Sequence, residues 1–319
     1  MEGISFYSTT AKKNSNKSEL PNKYINKLDR KNYLFTNEEE VDEYIESIQG
    51  SLQDVLFVDI EKKRDFNLLE VFKRTINNKV LPYKPNDITL EAADLLILFE
   101  NNYEINGKNV VIFGAGNIGT KLAIRLAERN SNVFLWDKNP IKLKEIILGI
   151  NHILPKGSNK IKKFSRKQKY QIGVSFIGAE KIIGLEYTDY FENESLIIDG
   201  GIGNYTEEFI DISNKKNSKV IRLDVRIGNR NLEAHVNNYL HGIPLDIGRC
   251  QKDKYSYVAG GMIGKRGELI VDSLVNPKVI LGVANGYGGI IAPNQMTELE
   301  KERINLLNEY ISENYKAGN

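Results

Sequence analysis

Three glycines at a fixed spacing are the residues of this chain best suited to chemistry. Gly114, Gly116 and Gly119 follow an apolar run at 110–113 and precede a helix-like stretch at 120–129. In such a loop the first glycine permits a tight turn, the second lets the backbone approach a pyrophosphate, and the third lets helix and strand pack closely. The helix amino terminus adds N–H donors and a positive dipole end. The spacing therefore predicts a dinucleotide site.

An acidic residue stands where such a site needs one. A second apolar run, 133–136, ends on Asp137, 18 positions beyond Gly119, close to the ~20 expected for an acid that binds a ribose 2′-hydroxyl. A carboxylate repels a 2′-phosphate, so Asp137 favours NAD, while Lys138 keeps NADP open as the alternative. The predicted loop contacts are Gly114, Ala115, Gly116, Asn117, Ile118, Gly119, Asp137 and Lys138.

Two other interpretations of the glycine loop remain open. A methyltransferase also uses a glycine turn and an acid at a strand end, but Gly119 argues against it, because the third glycine serves the packing that dinucleotide sites need. The loop could also be a turn in a parallel sheet that binds nothing.

Composition excludes several classes of protein. The 319 residues are 41% hydrophobic and 27% charged with a net charge of +2, which is typical of a globular chain and gives no indication of nucleic acid or membrane as a partner. The single cysteine, Cys250, cannot form an internal disulfide, which favours the cytoplasm. We expect the polar residues 1–22 to be a flexible segment without a secretory signal.

Alternating hydrophobic runs predict the fold class. Helical spacing covers 38–49, 67–76 and 87–100, with a strand candidate at 55–60. From residue 107 onward strands alternate with helices, which predicts an α/β protein with a Rossmann-type doubly wound parallel sheet and a smaller α/β N-terminal substrate domain. Ligands bind at the carboxyl ends of such strands, so two further glycine-bearing strand ends join the predicted cofactor site: Ile177, Gly178, Gly200 and Gly201.

The order of these parts predicts a domain layout. Residues 23–104 and the terminal helical segment 290–319 are expected to form the substrate domain, and residues 105–289 the NAD(P)-binding domain. A cleft between two such lobes is where a small-molecule site is expected.

Several segments resemble a known superfamily. They are the strand–helix unit 56–76, the helix 85–89 that leads into 107–110, the strand end 195–203 and the glycine loop 259–264. Together they resemble the shikimate and methylenetetrahydrofolate dehydrogenases, the amino-acid-dehydrogenase-like two-domain enzymes. The resemblance implies a nicotinamide cofactor, hydride chemistry, and Gly260 and Gly261 near the nicotinamide. Neither family's substrate motif is present, so the resemblance assigns no substrate.

Hydride transfer needs one group that handles the proton. Lys84 and Asp87 lie on the connector that faces the expected cleft, and Asp87 matches in position the acid that opens this helix in shikimate dehydrogenases. Lys62, with its neighbour Lys63, occupies a place similar to that of the family's lysine. The alternatives are a helix cap for Asp87 and solvated charges for the lysines.

Substrate contacts are predicted on a later segment. The run 219–227 alternates apolar and charged residues, which would place Arg222, Asp224 and Arg226 on one face of a strand. Arg226, with Asp224, is predicted to contact substrate because a guanidinium fork suits a carboxylate. The alternative is that the charges on this face pair with each other. His235 and His241, expected in a loop, are weaker acid–base candidates. No spacing suits a metal, so we expect none.

These residues predict an NAD(P)-dependent oxidoreductase acting on a small polar keto, hydroxy or imine acid, as a homodimer. The alternative is a non-catalytic dinucleotide-binding sensor or regulatory subunit. The leading lobe of about a hundred residues favours the enzyme, since a sensor needs no substrate lobe.

Overall fold

The chain forms two compact units in a computed structural model, Met1–Val236 and Asn237–Asn319. The structure describes residues 3–10, 18–25, 28–48, 55–76, 79–201, 203–242 and 246–317. The sequence predicts one domain over 105–289 and returns 290–319 to the first domain, whereas the structure begins a separate unit at Asn237.

The first unit opens with a five-stranded sheet in the order β2-β3-β1-β4-β5. The strands are β1 (Ile4–Thr9), β2 (Ser18–Ile25), β3 (Leu28–Phe35), β4 (Val55–Asp59) and β5 (Val80–Tyr83). All neighbours are parallel except β2 and β3. The helices α1 (Glu38–Ile48) and α2 (Leu68–Thr75) cover one face, where Tyr7, Phe35 and Phe72 are fully buried.

The prediction of a flexible segment over residues 1–22 is wrong for its described part. β1 is buried along its whole length and pairs with both β3 and β4, and β2 begins at Ser18. The apolar and aromatic residues of β1 are interspersed with two serines and a threonine. Averaging the hydrophobicity of these residues with that of the polar residues that follow obscured the strand. The remaining residues of this prediction lie outside the described part of the chain.

A long helix, α3 (Pro85–Glu100), joins this sheet to the next. It begins at Pro85 with Lys84 as the preceding cap residue, because the fixed φ of proline suits the first helical position. The sequence placed this start at Asp87, two residues later. α3 buries Leu90, Ala93 and Ile97 and packs on the first helix of the second sheet.

The second sheet of this unit has six parallel strands in the order β11-β10-β9-β6-β7-β8. They are β6 (Asn109–Phe113), β7 (Asn132–Trp136), β8 (Lys162–Lys163), β9 (Tyr170–Ser175), β10 (Phe191–Asp199) and β11 (Lys219–Arg222). Numbered within this sheet, the order is 3-2-1-4-5-6, in which the winding reverses between β6 and β9. The predicted doubly wound parallel sheet is confirmed.

Helices cover both faces of this sheet. They are α4 (Asn117–Glu128), α5 (Pro140–Ile153) and α6 (Glu207–Lys215), with 3-10 turns at Leu185–Tyr190 and Val225–Gly228. The helix α7 (Asn229–His241) follows the second turn, and its His235 packs against Phe57 of the first sheet. Two predictions are corrected here. The strand expected over 219–227 ends at Arg222, and His235 and His241 lie on α7 rather than in a loop.

The second unit is a four-stranded sheet with one long helix. Its strands are β12 (Gly248–Gln251), β13 (Ser256–Ala259), β14 (Leu269–Val271) and β15 (Ile280–Val283), paired in that order, and its helix is α8 (Glu298–Ala317). Its core includes Tyr257, Leu269 and Leu307. Within the described ranges, no helix is both long and apolar enough to cross a bilayer.

Candidate functional site

Two of the three loop glycines are required by the backbone around them. Gly114 has a φ of +103°, and a Cβ there would lie 3.0 Å from the carbonyl oxygen of Phe176. A Cβ on Gly119 would lie 2.1 Å from the carbonyl oxygen of Gly114. A side chain at Gly119 is therefore excluded, which is the close helix–strand packing that the sequence predicts for this position.

Gly116 differs because nothing lies within 4 Å of the Cβ it lacks. It precedes α4 as the cap residue and makes no side-chain cap hydrogen bond. Gly116 and Asn117 are exposed, and the first turn of α4 carries no acid. The N–H groups of this turn therefore face open space at the positive end of the helix dipole, so the loop fits a pyrophosphate.

Asp137 lies against this loop. Its carboxylate accepts hydrogen bonds from the backbone N–H of Ala115 at 3.1 Å and of Asn139 at 3.0 Å. Lys142 Nζ is 3.8 Å away, while Lys138 is exposed. The acid is thereby held at the carboxyl end of β7, next to the turn after β6.

The six-stranded sheet is a Rossmann fold. Its strand order, the glycine turn after β6 at the point where the winding reverses, and the acid at the end of β7 together define that fold,.

No protein-family model and no curated protein matches the chain. Among solved structures it is similar to a shikimate dehydrogenase in complex with NADP+ (14% identity, TM-score 0.46, 76% of this chain and 91% of that chain). It is also similar to the L-tryptophan dehydrogenase from Nostoc punctiforme (12%, 0.44, 76% and 76%). A third neighbour is the 5-ketofructose reductase of Gluconobacter sp. strain CHM43 (11%, 0.40, 76% and 94%).

The loops after β9 and β10 are joined by Asn204, a residue that the sequence reasoning missed. Its fully buried side chain accepts from Ile177 N at 3.1 Å and donates to the carbonyl oxygens of Ile177 and Ala179, both at 2.8 Å. Ser175 Oγ donates to the same amide oxygen at 2.6 Å. Asn204 therefore fixes the backbone of the predicted Ile177–Gly178 contact, and no spacing rule points to it.

The predicted glycine contacts fall into different places. A Cβ on Gly201 would lie 2.2 Å from Asn204 Oδ1, and one on Gly200 would lie 2.4 Å from the Phe176 ring, so these two glycines make room for the β9 loop. Gly178 has open space around it. Gly260 and Gly261 follow β13 in the second unit and are not part of the Rossmann sheet.

Asp87 brings two lysines together at the start of α3. Its carboxylate lies 3.1 Å from Lys84 Nζ and 2.5 Å from Lys121 Nζ. Burial acts to raise the pKa of Asp87, but hydrogen bonds from Lys121 and Lys84 outweigh it and lower that pKa. The hydrogen bond to Asp87 raises the pKa of Lys84. Lys121 belongs to α4, so the predicted pair joins the helix that starts at the glycine loop.

Lys62 is exposed, whereas its neighbour Lys63 is tied into the edge of the first sheet. Lys63 Nζ lies 2.7 Å from Asp59 and 3.2 Å from Glu61. Asp59 is buried and also accepts from the N–H and hydroxyl of Thr9, both at 3.2 Å. This cluster crosslinks the carboxyl ends of β1 and β4.

Arg226 and Asp224 bind each other at the surface. They lie in the turn after β11, where the Arg226 guanidinium donates from two nitrogens to the carboxylate at 2.5 and 2.9 Å. The three charges predicted on one strand face are therefore not aligned, because the strand ends at Arg222. In the ranges that the structure describes, no group of three His, Cys, Asp or Glu side chains could hold a metal ion.

Proposed function

We propose that this protein is an NAD(P)-dependent oxidoreductase that transfers a hydride to or from a small polar keto, hydroxy or imine acid. The observation that carries the proposal is the uncapped amino terminus of α4, open at Gly116 and flanked by Asp137. Such a terminus supplies unpaired N–H donors to a pyrophosphate, and the adjacent carboxylate suits a ribose hydroxyl.

A nicotinamide ring bound beside the β9 and β10 loops would supply the hydride. The chain must then supply the proton, and we propose Lys84 for this role rather than Lys62. A lysine is protonated near neutral pH, and the hydrogen bond to Asp87 raises the pKa of Lys84 further, so its Nζ can donate a proton to the substrate oxygen or nitrogen during reduction. Asp87 holds the ammonium group in place.

We propose NAD as the preferred coenzyme, with NADP as the alternative, because the Asp137 carboxylate repels a 2′-phosphate. Cytoplasmic location and a homodimer remain proposals from the sequence. Sedimentation of the purified chain tests the dimer.

Fluorescence titration with NADH and NADPH tests the cofactor. Asp137→Asn keeps an oxygen that can accept from Ala115 N–H but removes the charge, so we expect the ratio of NADPH to NADH affinity to rise about tenfold, equivalent to about 1.4 kcal/mol. Asp211→Asn, at an exposed site on α6, is the matched control. If the unaltered protein binds neither nucleotide below millimolar concentration, the proposal is wrong.

A turnover screen with 2-keto, 2-hydroxy and 2-imino acids tests the reaction, read from the nicotinamide absorbance. Turnover of any member supports the enzyme. Tight NADH binding with no turnover of the whole set would instead support a dinucleotide-binding sensor.

A further inference from the structure

Two cations lie opposite each other on neighbouring strands of the first sheet, and among the described residues no acid lies between them. Lys23 on β2 is the register partner of Arg30 on β3. Directly opposite residues of an antiparallel pair project to the same face, where like charges destabilise the pairing. Within the described part of the chain, neither side chain forms an ion pair with a carboxylate. The fold thus tolerates a repulsive pair that a single acid could have neutralised.

Both cations are partly withdrawn from water. The Arg30 Nε is buried and has no hydrogen-bond partner among the described residues. Lys23 Nζ lies 5.6 Å from the centre of the Phe6 ring. Burial, and then the positive charge of Lys63, lowers the pKa of Lys23 to about 8. A buried charge without a partner costs free energy, so these side chains are suited to a group that the described residues do not supply.

The surroundings combine apolar rings with one hydrogen-bond donor. The Phe6 ring stacks on Phe57 at 5.2 Å and meets the edge of Tyr83 at 5.6 Å. The Tyr83 hydroxyl is buried and makes no hydrogen bond of normal geometry in the described residues. Burial, followed by the negative charge of Asp59, raises the pKa of Tyr83, so the phenol stays protonated and can donate.

Two acids of this region, Asp59 and Glu61, already have an ion-pair partner within the chain. Lys63 pairs with both Asp59 and Glu61, and Asp59 also accepts from Thr9. His235, the other titratable side chain of this neighbourhood, packs its ring against Phe57 at 5.9 Å. Together with Lys63, Asp59 and Glu61, Lys23 and Arg30 leave one net positive charge among these described side chains.

We propose that Lys23 and Arg30 bind the carboxylate group of a small organic acid, the substrate of the oxidoreductase proposed above, on which this assignment rests. A guanidinium fork and an ammonium group can together hold both oxygens of a carboxylate. The rings of Phe6 and Phe57 then offer apolar surface to the carbon chain of the acid. Arg226, the residue that the sequence suggests for this role, is instead bound by Asp224.

The test measures acid binding and cofactor binding separately. Pyruvate, 2-oxoglutarate and phenylpyruvate are titrated calorimetrically into the full chain with and without NADH, and their neutral methyl esters serve as matched ligands. Lys23→Met and Arg30→Met each remove one cation. Lys31→Met is the control, because Lys31 is exposed and, as the next residue on β3, projects to the opposite face from Arg30,.

We expect at least one acid to bind the unaltered protein and each of the two variants to weaken that binding about tenfold to hundredfold. Lys31→Met and the esters should show no such dependence, and NADH affinity should not change. Lys23→Met and Arg30→Met should also unfold at equal or higher urea concentration, because each removes an unpaired buried charge. A residue needed only for folding would lower that midpoint.

Three results would overturn the assignment. They are NADH binding without binding of any of the acids, an equal loss in Lys31→Met, and inorganic phosphate binding as tightly as the acids, which would indicate a general anion site. If NADH fails to bind but an acid binds and depends on Lys23, the proposed function is wrong and the carboxylate site stands.

Discussion

The two ends of one charged helix–helix contact behave differently. α3 carries three acids on one face, Asp87, Glu91 and Asp94, and α4 opposes them with Lys121, Arg125 and Arg129. The i, i+4 and i+7 or i+8 spacings align each set along its helix. The side chain of Asp87 is 42% exposed, that of Glu91 18% and that of Asp94 3%. The same pairing of acidic with basic side chains thus forms an open end beside the glycine loop and a closed end away from it.

At the closed end, both oxygens of the Asp94 carboxylate accept hydrogen bonds. Arg129 donates to both oxygens of Asp94 at 2.5 and 2.9 Å, and Arg125 donates to one of them at 3.0 Å. At the open end the Asp87 carboxylate is shared by two flexible lysines, which can exchange partners with a ligand. This difference indicates that bidentate arginine side chains suit a fixed contact between helices, whereas lysine side chains allow the contact to rearrange. Function is therefore expected at the Asp87 end.

The largest expected effect comes from breaking the closed end. Asp94→Ala leaves Arg129 without its carboxylate and Arg125 with Glu91 alone. Breaking a buried ion pair costs about 3–5 kcal/mol, and we expect the lower end of that range because the two arginine side chains are 35% and 38% exposed. Urea unfolding, followed by the fluorescence of Trp136, the single tryptophan, measures the loss in the first unit. Asp87→Ala, the matched change at the exposed end, should cost less than about 1 kcal/mol. Equal losses at the two positions would contradict the comparison.

The second effect is on catalysis at the open end. Asp87→Asn removes the hydrogen bond that raises the pKa of Lys84, so we expect kcat for reduction to fall about a hundredfold and its alkaline limb to move to lower pH. Glu91→Gln, one turn along the same face, should keep at least half of the activity. If the asparagine and glutamine variants have the same rate and pH profile, Asp87 is only a helix contact.

The third effect separates the two lysines that share Asp87. Lys121→Met removes one donor but leaves the Lys84–Asp87 pair, 3.1 Å apart, intact. We expect kcat to fall less than about tenfold, a change below about 1.4 kcal/mol. Lys84→Met should approach the loss seen in Asp87→Asn. The role of proton donor belongs to Lys121 if its variant proves the slower of the two.

The sequence predicted the Rossmann half of the first unit because its signals are local. Gly114, Gly116, Gly119 and Asp137 follow strands whose residues are almost all apolar, so strand, turn and helix could be assigned from adjacent residues. The open Cβ positions at Gly116 and Gly178 agree with the roles expected of them. Whether these residues bind a cofactor stays a prediction.

The parts of the fold and of the candidate site that the sequence did not predict depend on contacts between residues that are distant in sequence. β1 is a strand because β3 and β4 flank it, and its polar alternation resembles an exposed segment when taken alone. Asn204 acts on a loop 25 or more residues earlier, and Lys23 matters because Arg30 lies opposite. The alternation of apolar and charged residues over 219–227 predicted too long a strand for the same reason. The chain turns after Arg222, and α3 packs against that turn.

The smallest expected effect concerns the pH dependence of the open end. The pKa of Asp87 lies below its usual 3.8 in the folded protein, so the folded state binds fewer protons than the unfolded state near that pH. Its contribution to stability is present above about pH 4 and is lost as the pH falls through the lowered value. The urea midpoints of the unaltered protein and of Asp87→Asn should therefore differ by a constant amount from about pH 5 to 8.

Below about pH 4 these two midpoints should converge. High salt should narrow the gap at neutral pH, because the Asp87 ion pairs are exposed and are screened over about 3 Å at 1 M ionic strength. A gap that does not narrow at all as the pH falls below about 4 would mean that the Asp87 contact stabilises α3 through shape rather than charge, and the open end would then resemble the closed one.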